Sequence, residues 1–201
     1  RWQQEIDWMT LNGINMPLAL TGEEAVWNKV YRDMGFSQAQ LDSFFSGPSY
    51  FAWFWMGNLD AWGGPLSANW MQKREALQKK ILQAERAMGM TPVLPAFTGH
   101  VPPSFTSKFP SAKVKKTNWH SGFDDVLILD PADSLFDEIG KIFLTEQTKI
   151  YGTDHLYSAD TFNENVPPTK DSTYLSSISK KIFASMRAAD SKATWVMQGW
   201  M

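Results

Sequence analysis

Residues 81–97 read ILQAERAMGMTPVLPAF, and the fold turns on how this stretch divides. Its first half closes a helical pattern that starts near Trp70: Leu77, Ile81 and Ala84 fall at the i, i+4, i+7 spacing of a packed face, and Gly89 stands where helices commonly stop. Its second half, Thr91 to Phe97, is a short uncharged run, as expected of a strand buried on both faces.

The same order recurs outward in both directions. Upstream, a helix over Trp2–Leu11, with Trp2, Ile6 and Met9 on one side, ends at Asn12-Gly13 and leads into a buried strand, Ile14 to Leu20. Downstream, a helix over Ser134–Ile150 opens with Ser134 and Asp137 as a capping-box variant and ends at Gly152, before a strand over His155–Phe162. A last helix, Ser172–Ala189, carries Leu175, Ile178, Ile182 and Met186 on one face and precedes a strand over Thr194–Trp200. Helices alternating with continuous apolar strands imply an α/β fold with a parallel sheet. The sheet is either open and doubly wound or part of a barrel. No G-x-G-x-x-G or G-x-x-x-x-G-K-[ST] follows any strand, so the nucleotide-binding open sheet lacks its main signature. A (β/α)8 TIM-type barrel needs eight strands and about 250 residues, so four strand–helix units make about half of one.

Residues 21–70 form an excursion after the first strand, far longer than the ~4–6 residues of a usual connector. A helix near Gly22–Met34 opens it, and Trp53, Trp55 and Trp62 follow among glycines. Long aromatic loops at the carboxyl ends of barrel strands are where such folds build their pockets.

Composition narrows the function. The 201 residues carry a formal net charge of -2, which gives no overall attraction to nucleic acid or anionic membranes, and the run Lys113, Lys115, Lys116 reads as a solvated loop face. No segment approaches the ~20 apolar residues of a membrane span. The absence of cysteine removes thiolate nucleophiles and cysteine-ligated zinc, and the three histidines, His100, His120 and His155, show no metal-binding spacing; no metal or cofactor is expected. The chain opens on Arg1, which reads as the removal of whatever preceded it.

Glu164 is the foremost candidate for chemistry. It follows Phe162 and Asn163 at the end of the third strand, and Pro167-Pro168 keep the chain from turning at once into a helix. A general acid working at neutral pH needs its pKa raised by burial or by a second carboxylate, and the aromatic neighbours could supply the burial. Asn163 offers an amide to a hydroxyl or acetamido group. With 10 Trp and 13 Phe, the chain has the flat surfaces on which pyranose rings stack, and Trp53, Trp119 and Trp200 lie by the segments of the mouth. Trp2, Trp8, Trp27 and Trp195 fall inside helices or a strand and read as core. His100, at the end of the second strand, either lines the mouth or makes a structural hydrogen bond. Asp124 and Asp125 are weaker candidates, and Asp160 is expected inside a strand.

Five stretches carry a resemblance: RWQQEIDWMTLNGIN (1–15), FAWFWMGNL (51–59), GMTPVLPAFTGHVP (89–102), YGTDHLYSADTFNE (151–164) and WVMQGW (195–200). In this order they resemble the catalytic barrel of the α-N-acetylglucosaminidases, glycoside hydrolase family 89. The resemblance implies a retaining exo-hydrolase acting on a carbohydrate with a terminal α-linked N-acetylglucosamine, outside the cytoplasm. It places the acid/base of the family's T-F-N-E motif on Glu164 and substrate-binding roles on Phe162, Asn163, Trp53, Trp119 and Trp200. The family's second glutamate, the nucleophile, matches no position here. The resemblance therefore implies residues 1–201 to be part of a catalytic barrel that the remainder of a parent chain completes, inactive alone. The segment VKKTNWHSGFDD departs most from the family, with acidic residues where animal members carry cysteines. A carbohydrate-binding segment without catalysis is the alternative.

Overall fold

The computed structural model describes residues 1–120 and 122–198. The elements run α1 (Trp2–Leu11), α2 (Glu23–Asp33), α3 (Gln38–Asp42), α4 (Phe51–Trp55), α5 (Ala68–Ala87), β1 (Leu94–Pro95), β2 (His100–Val101) and α6 (Phe105–Lys108). After these come β3 (Val114–Thr117), β4 (Val126–Leu129), α7 (Ser134–Tyr151), β5 (Leu156–Ser158), α8 (Ser172–Ala189) and β6 (Thr194–Trp195).

One sheet is parallel, in the order β1-β5-β6, with Leu94 opposite Tyr157 and Tyr157 opposite Trp195. The segment before α2 lies against its β1 side through a parallel bridge between Leu18 and Val93. Four neighbouring parallel segments thus follow chain order, each crossover supplying a helix: α5, then α7, then α8. This is the winding of a barrel wall, whereas a doubly wound sheet reverses its order at a switch point. The helices pack in the same sequence, with α2 against α5 and α7, and α7 against α8.

The strands are shorter than their apolar runs. Ile14–Leu20 is reduced to the single bridge at Leu18, with hydrogen bonds from Thr91 N to Asn15 O and from Val93 N to Pro17 O; Ile14, Met16 and Leu18 are exposed rather than buried. Pro17 has no N–H to give a ladder, which limits the pairing on this side. The run 155–162 keeps only Leu156–Ser158 as strand, so Asp160 lies past the sheet rather than inside it. The last run is paired at Thr194–Trp195, and its end, with Trp200, lies outside the described residues.

A second sheet is antiparallel, in the order β2-β4-β3, and fills the excursion between β1 and α7. Lys115 and Lys116 therefore sit in strand β3, opposite Ile128 and Leu127, and not in a loop. Asp133 caps α7 by accepting from Leu135 N, replacing the expected box of Ser134 and Asp137.

The core is aromatic. Trp27 of α2 is 4% exposed, with its ring centroid 5.2 Å from Tyr31 and 4.4 Å from Phe143. Trp2 and Trp8 are not core: Trp8 is 56% exposed, because α1 buries only Ile6, against Ile81 and Met90. Trp195 is half-buried and donates to Ala159 O.

Candidate active site

The two excursions meet beyond the carboxyl ends of the parallel strands. Buried Asn165 ties them to the loop after β5, donating to Gly57 O at 2.8 Å and to Thr117 Oγ1 at 3.3 Å. A bridge between Asn118 and Val166 then runs the chain after β3 antiparallel to that loop. This bridge explains the central contact: it sets Trp119 beside the loop, and its Nε1 donates to Glu164 Oε2 at 2.8 Å. Residues 45 apart in sequence are joined by backbone pairing one residue from Trp119 and two from Glu164.

Around Trp119 lies a closed circuit of half-buried rings. Centroid distances run 6.0 Å from Trp119 to Trp53, 6.4 Å from Trp53 to Tyr50, 5.7 Å from Tyr50 to Trp62, 4.7 Å from Trp62 to Phe123 and 4.9 Å from Phe123 back to Trp119. Every ring is tilted on its neighbour, as quadrupoles prefer. Glu164 itself is exposed, so within this chain the aromatic neighbours do not bury it. Asn163 donates to Asp160 Oδ2 at 2.9 Å, and Phe162 packs on the core.

His100 is buried rather than open to the mouth. It is 5% exposed, flanked by Phe44 and Phe54, and its Nε2 is 2.7 Å from Asp60 Oδ1. Burial pushes the Asp60 carboxyl above its ordinary pKa and the His100 ring pulls it back. This pair, with the bond from Tyr31 Oη to His100 O, anchors the 21–70 excursion on β2. Asp124 and Asp125 are exposed; Asp125 accepts from Asn118 and lies 3.6 Å from Lys116.

A residue that the sequence reading passed over lies nearby. Glu23 opens α2 directly after Gly22, whose φ of +77° turns the chain and where a Cβ would stand 2.5 Å from the Tyr151 hydroxyl. Glu23 Oε1 accepts from Trp27 Nε1 at 2.9 Å, and burial raises its carboxyl from the ordinary 4.5 to about 8, against the lowering effect of that bond. An acidic residue in a first helical turn is so common that no local signal marked it.

Residues 1–201 match, over their whole length, the family described as the alpha-N-acetylglucosaminidase (NAGLU) tim-barrel domain. The chain belongs to the α-N-acetylglucosaminidase family. It is 46% identical over 205 residues to human alpha-N-acetylglucosaminidase, covering 100% of this chain and 28% of the relative. A solved family 89 glycoside hydrolase from Clostridium perfringens, in complex with 2-acetamido-1,2-dideoxynojirimycin, superposes with a TM-score of 0.90 at 31% identity, covering 100% of this chain and 24% of that one. The Clostridium perfringens enzyme with two glutamates changed to glutamine, in complex with its substrate GlcNAc-alpha-1,4-galactose, superposes with a TM-score of 0.90 at 30% identity, covering 100% and 24%. The chain spans about a quarter of the length of these family members. Among the described residues no helix is long and apolar enough to cross a membrane.

Proposed function

We propose that the chain is part of the catalytic barrel of a retaining α-N-acetylglucosaminidase in which Glu164 is the general acid/base. The observation that carries the reading is the Trp119–Glu164 hydrogen bond at the carboxyl end of the parallel sheet, beside a circuit of rings suited to a sugar's C–H face. Membership of the family and the substrate named for the Clostridium enzyme support the choice of sugar.

In the first step the protonated Glu164 gives its proton to the glycosidic oxygen while that oxygen's bond to C1 breaks and a second carboxylate, outside this chain, bonds to C1. In the second, Glu164 takes a proton from water as the water's oxygen replaces that carboxylate, and the sugar leaves with its configuration kept. The two carboxyl groups of such a pair stand ~5–5.5 Å apart. Indole Nε1 of Trp119 holds Oε2, which leaves Oε1 for the proton. Asn163 and Phe162 line the sugar beside it, with Trp53 and Trp200 as stacking surfaces and His100 as the brace beneath. The rest of a longer chain closes the barrel.

The test uses the full-length parent on aryl α-N-acetylglucosaminides with good and poor leaving groups. Glu164→Gln is expected to lose ~10²–10⁴-fold in kcat/KM on the poor leaving group and far less on the good one. Unchanged turnover on both would favour a sugar-binding segment without catalysis.

A further inference from the structure

Burying a carboxyl group costs free energy unless its oxygens are paired, and Glu23, with a hydrogen bond on one oxygen, is 7% exposed at the edge of a cavity. That cavity, about 60 Å³, is lined by residues at the carboxyl ends of the parallel segments, Leu20, Ala96, Ser158 and Val196 among them. Asn163, the neighbour of Glu164, lines it as well. A hollow of about 350 Å³ adjoins it, sharing Ala159, Asp160, Asn163 and Gln198. Space of this order suits a small ligand, whose polar groups meet a few placed side chains.

We propose that Glu23 binds a hydroxyl of the terminal sugar, fixing that sugar's orientation on the side of the pocket formed by α2; the inference rests on the glycosidase reading and deepens it. Glu23 Oε1 is held by Trp27 Nε1, and Trp27 is clamped between Tyr31 and Phe143, so the carboxyl is set before a ligand arrives. Oε2 has no protein partner among the described residues and is the oxygen left for a ligand. The neighbouring Glu24 is fully buried and faces Arg74 at 3.6 Å, on the other side of the helix start. A carboxyl that keeps its proton near neutral pH donates as well as accepts, and so matches a hydroxyl in either role.

The experiment compares the full-length parent with its Glu23→Ala and Glu23→Gln variants on an aryl α-N-acetylglucosaminide and its 3-deoxy, 4-deoxy and 6-deoxy analogues. Glu23→Ala is expected to lose roughly 10–100-fold in kcat/KM on the complete sugar, and no more than about threefold on the one analogue that lacks the partner hydroxyl. Glu23→Gln, which still presents an oxygen and a donor, should recover most of the loss. The same loss on every analogue would make Glu23 a wall residue and overturn the inference. If Glu23→Ala does not fold, Glu23→Leu, which keeps the bulk and loses both polar groups, decides across the same series: a loss that shrinks on one analogue supports the role and an equal loss on all overturns it. A wild-type parent inert on every member, by contrast, sinks the glycosidase reading and this one with it.

Discussion

Two Trp–Glu pairs in this molecule make nearly the same hydrogen bond, 2.9 Å from Trp27 to Glu23 and 2.8 Å from Trp119 to Glu164. The first lies within one helix, one turn apart, packed among Tyr31, Phe97 and Phe143. The second spans two loops and stands open to solvent. Burial decides what each carboxyl does. Glu23, nearly all buried, holds its proton to about pH 8 and is fixed in place by Trp27. Glu164 is exposed, and so accessible for the proton transfers proposed for it.

The two carboxyls differ most in their response to pH. Glu23 in the folded protein binds its proton more tightly than in the unfolded chain, about 8 against 4.5. Below pH 4.5 both forms are protonated and the group contributes no difference; as pH rises toward 8 the unfolded carboxyl ionises and the folded one does not, so folding is progressively penalised. Glu23→Gln removes that penalty while keeping an acceptor for Trp27. Denaturant titrations of parent and variant should therefore diverge from pH 5 to pH 8, the variant being more stable by up to ~4–5 kcal/mol at the alkaline end. A gap that stays constant with pH would contradict a buried, protonated Glu23.

A smaller contrast comes from making one substitution at both places. Trp27→Phe leaves a buried carboxyl without its donor and should cost ~1–3 kcal/mol of stability, read by thermal or denaturant unfolding. Trp119→Phe, at a solvated pair, should cost under ~1 kcal/mol of stability while lowering kcat/KM about tenfold on substrates with poor leaving groups. If the two substitutions exchange these effects, the division into a fixed, buried carboxyl and an exposed one is wrong.

Much of the fold was legible because its signals are local. Trp2–Leu11 and Ser172–Ala189 are helices with the ends that periodicity gave them, since apolar spacing and stop residues lie within the segment itself. Strands depend on partners far along the chain. Ile14–Leu20 looked like a strand by composition, yet Pro17 and an exposed face leave it one bridge. Sheet β2-β4-β3 went unread, although Val126–Leu129 is four apolar residues in a row, because its register joins residues 28 apart at His100 and Ile128. The exposure of Trp2 and Trp8 shows the same limit: a helix face predicts what is able to be buried, not what lies opposite. At the site, the Phe162-Asn163-Glu164 motif was legible, and its resemblance to family 89 placed Trp119 near it. The reason for their contact, the Asn118–Val166 bridge, was not, and neither was Glu23, which as the first residue of a helix looks like any other.

The most direct test of Glu164 is a product analysis. The full-length parent with Glu164→Ala, given an activated aryl α-N-acetylglucosaminide and sodium azide, still forms the bond between C1 and the second carboxylate, because the leaving group needs no proton. Azide, which needs no base, then displaces that carboxylate from C1. The account predicts rescued turnover and an α-linked glycosyl azide, identified by proton NMR. A β-linked azide would mean that Glu164 is itself the nucleophile, and no azide product with activity near wild type would contradict its role in catalysis altogether.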